Sequence, residues 1–175
     1  MLTGVYGSGK SSVAQEIAYL LDQRGEPYAL LDLDYFGWAG TGTGDRAGEF
    51  RLLRQNTAAV AANYRRAGIR LFVLAYFARS RSEVGGVREA LGLPLRVVRL
   101  EVPLRDIERR LAGDVTSGRR DDLRAAAASI AAAEGAGVED VVIGNDRPVG
   151  VVARDVLTFL PDGSRPPDYS RPDIR

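Results

Sequence analysis

Eight residues near the start of the chain, Gly4-Val-Tyr-Gly-Ser-Gly-Lys-Ser11, constrain its fold more than any other stretch. They fit the phosphate-binding pattern G-x-x-x-x-G-K-[ST] at every fixed position. Glycines let such a loop curl until successive backbone N–H groups face one anion, and the helix that follows adds the positive end of its dipole. The pattern needs a strand before it and a helix after it, and here a short apolar start runs into an apolar-periodic segment. In that context Gly4, Tyr6, Gly7, Ser8, Gly9, Lys10, Ser11 and Ser12 are the candidate cradle for nucleotide phosphates. Lys10 would reach the β- and γ-phosphates and the Ser11 hydroxyl would ligate Mg²⁺. The bland alternative is a glycine-rich turn capping a helix. Usage of basic residues argues against it: Lys10 is the only lysine, and the other 23 of the 24 Lys+Arg positions are arginine. A chain that otherwise takes its positive charge from arginine keeps a compact ammonium where phosphate is to be met.

The bulk composition closes off other chemistries. At 175 residues the chain is most simply one domain, and 45% hydrophobic with 27% charged residues is ordinary for a globular protein. A net charge of +1 creates no global field for nucleic acid or membrane, so a nucleic-acid partner is not expected. Cysteine and histidine are both absent, which removes disulfides, thiol nucleophiles, imidazole bases and serine–histidine triads. Proton transfer must fall to a carboxylate, to Lys10 or to a tyrosine. No apolar run approaches the roughly 20 residues of a membrane span, and no signal-peptide pattern opens the chain. Cytoplasmic is the default expectation, with the oligomeric state left at monomer or homodimer.

Strand and helix patterns alternate along the chain. Only Met1, Leu2 and Thr3 precede Gly4, against about five or six residues in a usual buried strand. Either this strand is clipped or it begins upstream, and in both cases it is expected to pair in mid-sheet. A helix follows to about Gln23, with Val13, Ile17, Leu20 and Leu21 on one face. Residues 28–33 form an apolar second strand that ends in Asp32-Leu-Asp34. Residues 39–44, Ala-Gly-Thr-Gly-Thr-Gly, are expected to be mobile. Asp45 then caps a helix to about Arg66 with Phe50, Leu53, Val60, Ala61 and Tyr64 inward. The third strand spans 69–75, and Ser82 opens a short helix closing near Gly92. The fourth strand, 95–102, carries charges that suggest an exposed position. Pro103 starts a helix with Leu104, Ile107 and Leu111 inward. A loop over 114–120 precedes an Ala-rich helix capped by Asp121 or Asp122. Residues 138–143 form the fifth strand, and Gly144-Asn-Asp-Arg-Pro148 leads into a last helix through about Leu160. Residues 161–175 are expected to be a disordered tail. The sum is an α/β domain over 1–160, a mainly parallel sheet with helices on both faces.

In such a sheet ligands bind at the carboxyl ends of the strands, and each of those loops carries polar candidates. Alternation places Asp32 and Asp34 on one side of the second strand. Asp34 is the best candidate to hold and deprotonate an acceptor hydroxyl, with Asp32 assisting Mg²⁺ through water. Alternatively, the two aspartates only solvate a strand end. The third strand ends in Val-Leu-Ala-Tyr76 and lacks the acidic residue that motor-type ATPases place there, which shifts magnesium duty to Ser11 and Asp32. Arg79 is a candidate for an anionic acceptor. Tyr35, Phe36 and Trp38 either line an acceptor pocket or join the core. Arg110 and Arg119 are candidate phosphate clamps in a closing lid over about 112–122. Arg105 and Arg109 are better explained as a solvated helix face pairing with Asp106 and Glu108.

With those residues in view, the chain resembles the small P-loop kinases of metabolites, with adenylylsulfate kinases nearest and gluconate-, shikimate- and chloramphenicol-kinase types around them. Gly-Ser-Gly-Lys-Ser-Ser-Val-Ala resembles their first loop and helix, Leu-Asp-Leu-Asp34 their Asp-x-Asp, and Asn145-Asp-Arg-Pro148 their closing segment. The resemblance implies a five-stranded parallel sheet in the order 2-3-1-4-5, ATP as donor with Mg²⁺, an arginine-bearing lid after the fourth strand, and Asn145 and Arg147 on the nucleotide. It also implies a small-molecule hydroxyl acceptor, with Asp32, Asp34, Phe36 and Arg79 as its candidate contacts. Two departures stand out. Tyr35-Phe-Gly follows the aspartates where sulfate-activating kinases have an Asn-x-Arg run, and Arg110-Leu-Ala-Gly-Asp114 lacks the second arginine of an Arg-Leu-x-x-Arg lid, for which Arg119 or Arg120 is the substitute. Two other readings remain open at the level of sequence: a nucleotide-binding regulatory module that transfers nothing, and a nucleic-acid end kinase.

Overall fold

The computed structural model describes residues 1–39, 45–113 and 116–160, without the side chain of Arg119. The glycine-rich segment 40–44, loop residues 114–115 and the tail 161–175 lie outside the described residues, as do the expectations made for them. Elements follow in the order β1 (Leu2–Thr3), α1 (Lys10–Gln23), β2 (Tyr28–Asp32), a 3₁₀ turn (Leu33–Tyr35), α2 (Arg46–Arg66), β3 (Leu71–Ala75) and α3 (Arg81–Leu91). Then come β4 (Val98–Glu101), α4 (Leu104–Ala112), α5 (Ser117–Ala136), β5 (Val141–Gly144) and α6 (Val149–Thr158). The five strands make one parallel sheet in the order β2-β3-β1-β4-β5. Two-residue β1 is the middle strand: Leu2 registers with Ala75 on one side and Val98 on the other.

Apolar periodicity assigns each helix to a layer. Val13, Ile17 and Leu21 of α1 meet Val152 and Val156 of α6 over Leu2, Val73, Val98, Leu100 and Ile143. On the opposite face, Leu53 and Ala61 of α2 and Val84, Val87 and Leu91 of α3 pack with Leu31, Leu33 and Leu74. A third cluster joins Ile107 and Leu111 of α4 and Ala126 and Ala133 of α5 to Val5 and Phe77, so α4 and α5 pack against the phosphate-binding loop. No helix among the described residues is long and apolar enough to cross a membrane.

Several expectations need correction. Strand β4 is interior, between β1 and β5, despite its charges. Arg99 is 12% exposed and its Nε lies 3.0 Å from Glu139, itself 13% exposed, so the charge is matched at the sheet rather than solvated. Leu104 and Tyr64 stay exposed, because Pro103 starts α4 at a point where its first residue precedes the buried stripe, and Tyr64 packs only its edge on Phe72. Helix α3 is capped by Ser80, whose Oγ accepts the Glu83 N–H at 3.2 Å, not opened at Ser82. Helix α5 begins at Ser117, since Arg120 N already donates to Thr116 O, and Asp121 pairs with Arg124 one turn on instead of capping. Strands β3, β4 and β5 are shorter than their apolar runs because pairing in register ends before burial does. Val97 and Val138, for example, are buried outside the strands.

Removing Arg99 takes away the partner of Glu139 Oε1 beside the sheet, and its Oε2 already has no hydrogen-bond partner. Arg99→Ala is expected to lower the unfolding free energy in urea by about 2 kcal/mol, less than for a fully buried pair because part of this one meets water. Replacing both with Arg99→Met and Glu139→Leu is expected to recover most of it.

Candidate active site

The loop from β1 to α1 is built on backbone geometry that side chains cannot enter. Gly4 has φ 136° and Gly9 φ 90°. A Cβ on Gly4 would lie 2.9 Å from Leu100 O, and one on Gly9 would lie 2.5 Å from Asn145 Nδ2, so both positions call for glycine on conformation and on space. Gly9 is the N-cap of α1, and no side chain caps it. The first-turn amides are therefore available to an acceptor from outside the helix, at the positive end of its dipole.

Two side chains brace the loop. Asn145, just past β5 and buried, donates Nδ2–H to Ser8 O at 2.7 Å. Arg110, in the last turn of α4, donates Nη1–H to Gly7 O at 3.1 Å and Nη2–H to Asn145 O at 2.8 Å. Within the loop, Ser8 N–H donates to Val5 O at 3.1 Å, so this turn is closed on itself, and Gly7, Gly9, Lys10 and Ser11 line the cavity.

Lys10 lies buried between loop and carboxylates. Its Nζ donates to Gly4 O at 3.0 Å and stands 3.8 Å from Asp34 Oδ2. The Tyr6 and Phe77 rings, edge to face with each other, lie 5.2 Å and 5.9 Å from the ammonium. The two aspartates reach the site by a route that strand alternation does not describe. Asp32 ends β2, and the chain turns at once into 3₁₀ geometry because Asp32 Oδ1 accepts the Asp34 N–H at 3.2 Å. Asp32 Oδ2 accepts from Ser11 Oγ at 2.9 Å, and Asp34 Oδ1 accepts the Phe77 N–H at 3.1 Å. Burial pushes the Asp34 pKa above the usual carboxylate range; the Lys10 ammonium and the Phe77 N–H pull against that shift without cancelling it.

A hydroxyl and a carboxylate 2.9 Å apart beside a helix N-terminus are hard oxygen donors of the kind Mg²⁺ takes, with water and phosphate oxygens completing its octahedron. No group of three or more acidic side chains able to hold a metal occurs among the described residues.

These groups open onto a cavity of about 940 Å³. Tyr6, Gly7, Gly9, Lys10, Ser11 and Ser12 line one end, with Asp32, Asp34 and Arg110 beside them. The far end holds Tyr35, Trp38, Arg46, Glu49, Tyr76, Arg79 and Glu83. The structure thus brings together most of the residues singled out from the sequence. Gly4 and Ser8 of the loop, and Asn145 that supports it, do not line the cavity. Phe36 is turned away, its ring packed against the core around Leu33 and Leu53. Arg147 is turned away as well, paired with Asp155 of α6 at 2.9 Å. The Arg119 side chain lies outside the described residues.

Sequence reading missed Glu83. Its Oε2 accepts the Tyr76 hydroxyl at 3.1 Å and the Arg79 N–H at 2.8 Å, while Arg46 stands 3.6 Å from Oε1. Burial, and then the Glu83 charge, push the Tyr76 pKa well above its usual range, so Tyr76 remains an O–H donor. The signal was present: Ser80-Arg-Ser-Glu83 is the S-x-x-E pattern of a capping box.

No protein-family model and no curated protein matches this chain. Solved structures do. The adenylylsulfate (APS) kinase of Mycobacterium tuberculosis, in complex with AMPPNP and APS, is 23% identical with a TM-score of 0.60, over 90% of this chain and 93% of that one. An unliganded sugar kinase from Janibacter sp. HTCC2649 is 20% identical with a TM-score of 0.64, over 90% and 91%. A gluconokinase from Sinorhizobium meliloti 1021 is 20% identical with a TM-score of 0.60, over 90% and 87%. The chain has the fold of the small P-loop kinases. Its sheet order and its loop at the end of the middle strand belong to that fold.

Two stability measurements check the site. Asn145→Ala strands the Ser8 carbonyl and is expected to cost about 1–3 kcal/mol in urea unfolding, with faster hydrogen exchange confined to residues 7–12. Asp34 has a folded-state pKa above its unfolded value of about 3.9, so ionising it opposes folding. That penalty is absent below the unfolded pKa and complete above the raised one. The stability gain of Asp34→Asn over wild type is therefore expected to grow as pH rises through that window. A gain that does not change with pH would contradict the assignment.

Proposed function

We propose that this protein is an ATP- and Mg²⁺-dependent phosphotransferase that moves the γ-phosphoryl group of ATP to a hydroxyl of a small molecule. One observation carries the reading: the Asp34 carboxylate stands 3.8 Å from the Lys10 ammonium, between the phosphate-binding loop and the free end of the cavity. Reacting phosphate and acceptor would meet there. Kinase names among the structural neighbours support the same class, as does the fold they share with this chain.

The roles follow from charge and reach. N–H groups of Gly7, Gly9, Lys10 and Ser11 bind the β- and γ-phosphate oxygens, and Lys10 neutralises charge that moves toward the bridging oxygen. Asp34 orients the acceptor hydroxyl. It accepts the proton as the hydroxyl oxygen bonds to the γ-phosphorus and the β–γ bridging oxygen leaves with ADP. A carboxylate whose pKa is raised by burial is a better base for that proton than an exposed one. Ser11, with Asp32 behind it, would hold Mg²⁺, which when bound supplies neutralisation of the phosphate charge. Arg110 is poised at the loop to meet the transferring group, and Thr116 and Asp122 place the start of α5 over the same cavity.

Measurement of ADP release from Mg·ATP against a library of hydroxylated metabolites and antibiotics tests this reading. The expected outcome is acceptor-dependent ADP release that falls about 10²-fold or more in kcat with Asp34→Asn, while ATP affinity changes far less. The acid limb of the pH–rate profile should lie above that of an ordinary aspartate. Tight ATP binding with no transfer to any acceptor would overturn the proposal in favour of a nucleotide-binding module.

A further inference from the structure

Two large rings at the free end of the cavity are left in water by a turn that is otherwise firmly anchored. Tyr35 is 62% and Trp38 is 78% exposed, yet they stack on each other with centroids 5.7 Å apart and planes 20° apart. The residues between them point the other way. Phe36 packs into the core and its carbonyl accepts Asn56 Nδ2–H at 2.7 Å. Gly37 approaches α2 so closely that a Cβ would lie 2.8 Å from Glu49 O. With 36 and 37 pinned inward, 35 and 38 are presented to the cavity as a fixed aromatic platform, directly after Asp34. Apolar surface held in water by a rigid turn needs a partner, and a flat π face pairs best with another.

Across the cavity, Arg79 follows β3. Its guanidinium rests 4.8 Å from the Phe77 ring, makes no hydrogen bond or ion pair among the described residues, and acts electrostatically on Asp34. Its neighbour Glu83 is already matched by Tyr76, the Arg79 N–H and Arg46. Glu49, on the α2 side, has no ion pair among the described residues and repels an anion there, which directs an acid group to Arg79.

We propose that this end of the cavity binds the phosphoryl acceptor, and that the acceptor is a planar aromatic ring compound bearing both a hydroxyl and an anionic group. The ring lies on Trp38 and Tyr35, the anion pairs with Arg79, and the hydroxyl faces Asp34. The assignment of the occupant as acceptor rests on the phosphotransferase reading; the assignment of its chemistry rests on the residues above. An aryl acid and a nucleoside monophosphate share that chemistry.

The test uses the full chain and the emission of Trp38, its only tryptophan. One titration uses hydroxymethylbenzoate. The other uses a pyrimidine nucleoside monophosphate, with Mg²⁺ and a non-hydrolysable ATP analogue present to keep it off the phosphate loop. Saturable quenching by one of them identifies the source. Response is expected to be about tenfold weaker for the neutral alcohol or nucleoside, and for a cyclohexane carboxylate or sugar phosphate. By calorimetry, Trp38→Leu weakens the preferred probe about tenfold, and Arg79→Gln abolishes the preference for acid over neutral partner. Affinity for the ATP analogue should stay within about twofold in both variants. No saturable quenching by either probe, equal response to planar and saturated anions, or loss of ATP-analogue affinity in Arg79→Gln would each overturn the proposal. These are binding readouts. Ring binding without ADP release would sink the phosphotransferase reading and leave the subsite standing, and ADP release with an acceptor that leaves Trp38 emission unchanged would do the reverse.

Discussion

Two residues in the middle of the sheet hold the candidate site in place. Leu2 and Thr3 are flanked by β3 and β4, both are buried, and the loop that follows leaves from their carboxyl end. The neighbours compensate for the shortness of the strand. Tyr76 N donates to Leu2 O at 3.0 Å, Val98 N to Met1 O at 2.9 Å, and Ala78 N to Thr3 Oγ1 at 3.2 Å. Asn145 and Arg110 then take over beyond the strand by fixing the carbonyls of Ser8 and Gly7. The loop is thus held at both ends by groups from four other elements. Such bracing matters for anion binding because the donors are backbone amides, whose direction is set only by the path of the chain.

The electrostatics of the cavity follow from the same crowding. Lys10 pairs with Asp34, the rings of Tyr6 and Phe77 lie beside Lys10, Phe77 lies beside Arg79, and Tyr76 bonds Glu83. Aromatic faces tolerate the cations while keeping water back, and the withheld water raises the Asp34 pKa. A site of this kind is unfavourable for folding and favourable for moving a proton. That trade is common where chemistry is done.

Local constraints were legible in the sequence and cooperative ones were not. The phosphate-binding loop could be read because its glycines answer a local demand for positive φ, at Gly4, Gly7 and Gly9. Helix faces such as Val13, Ile17 and Leu21 could be read because they repeat at the helical period. Lys10, Asp32 and Asp34 were placed near one another correctly, but for the wrong backbone reason: the Asp32 side chain bends the strand into a 3₁₀ turn. Arg99 looked like a surface charge because its partner, Glu139, is forty residues away and adjacent only once β4 and β5 pair. Arg147 and Phe36 looked like ligand contacts, and packing turned both aside, one to Asp155 and the other into the core. The role of Asn145 as a strut under the loop depends on a contact across 137 residues, which no spacing rule reports. The order of the sheet came from resemblance to known kinases, and the fold of the solved structures agrees with it.

A crystal structure with a non-hydrolysable ATP analogue and Mg²⁺ would test the central claim most directly. The account predicts β- and γ-phosphate oxygens bonded to the N–H groups of Gly7, Gly9, Lys10 and Ser11, and Mg²⁺ at Ser11 with Asp32 in its outer shell. It also predicts that Lys10 Nζ will be drawn from Gly4 O onto the phosphates, with the γ-phosphate facing Asp34. An analogue bound elsewhere, or a loop without phosphate and Lys10 still on the carbonyls of Gly4 and Val5, would contradict it.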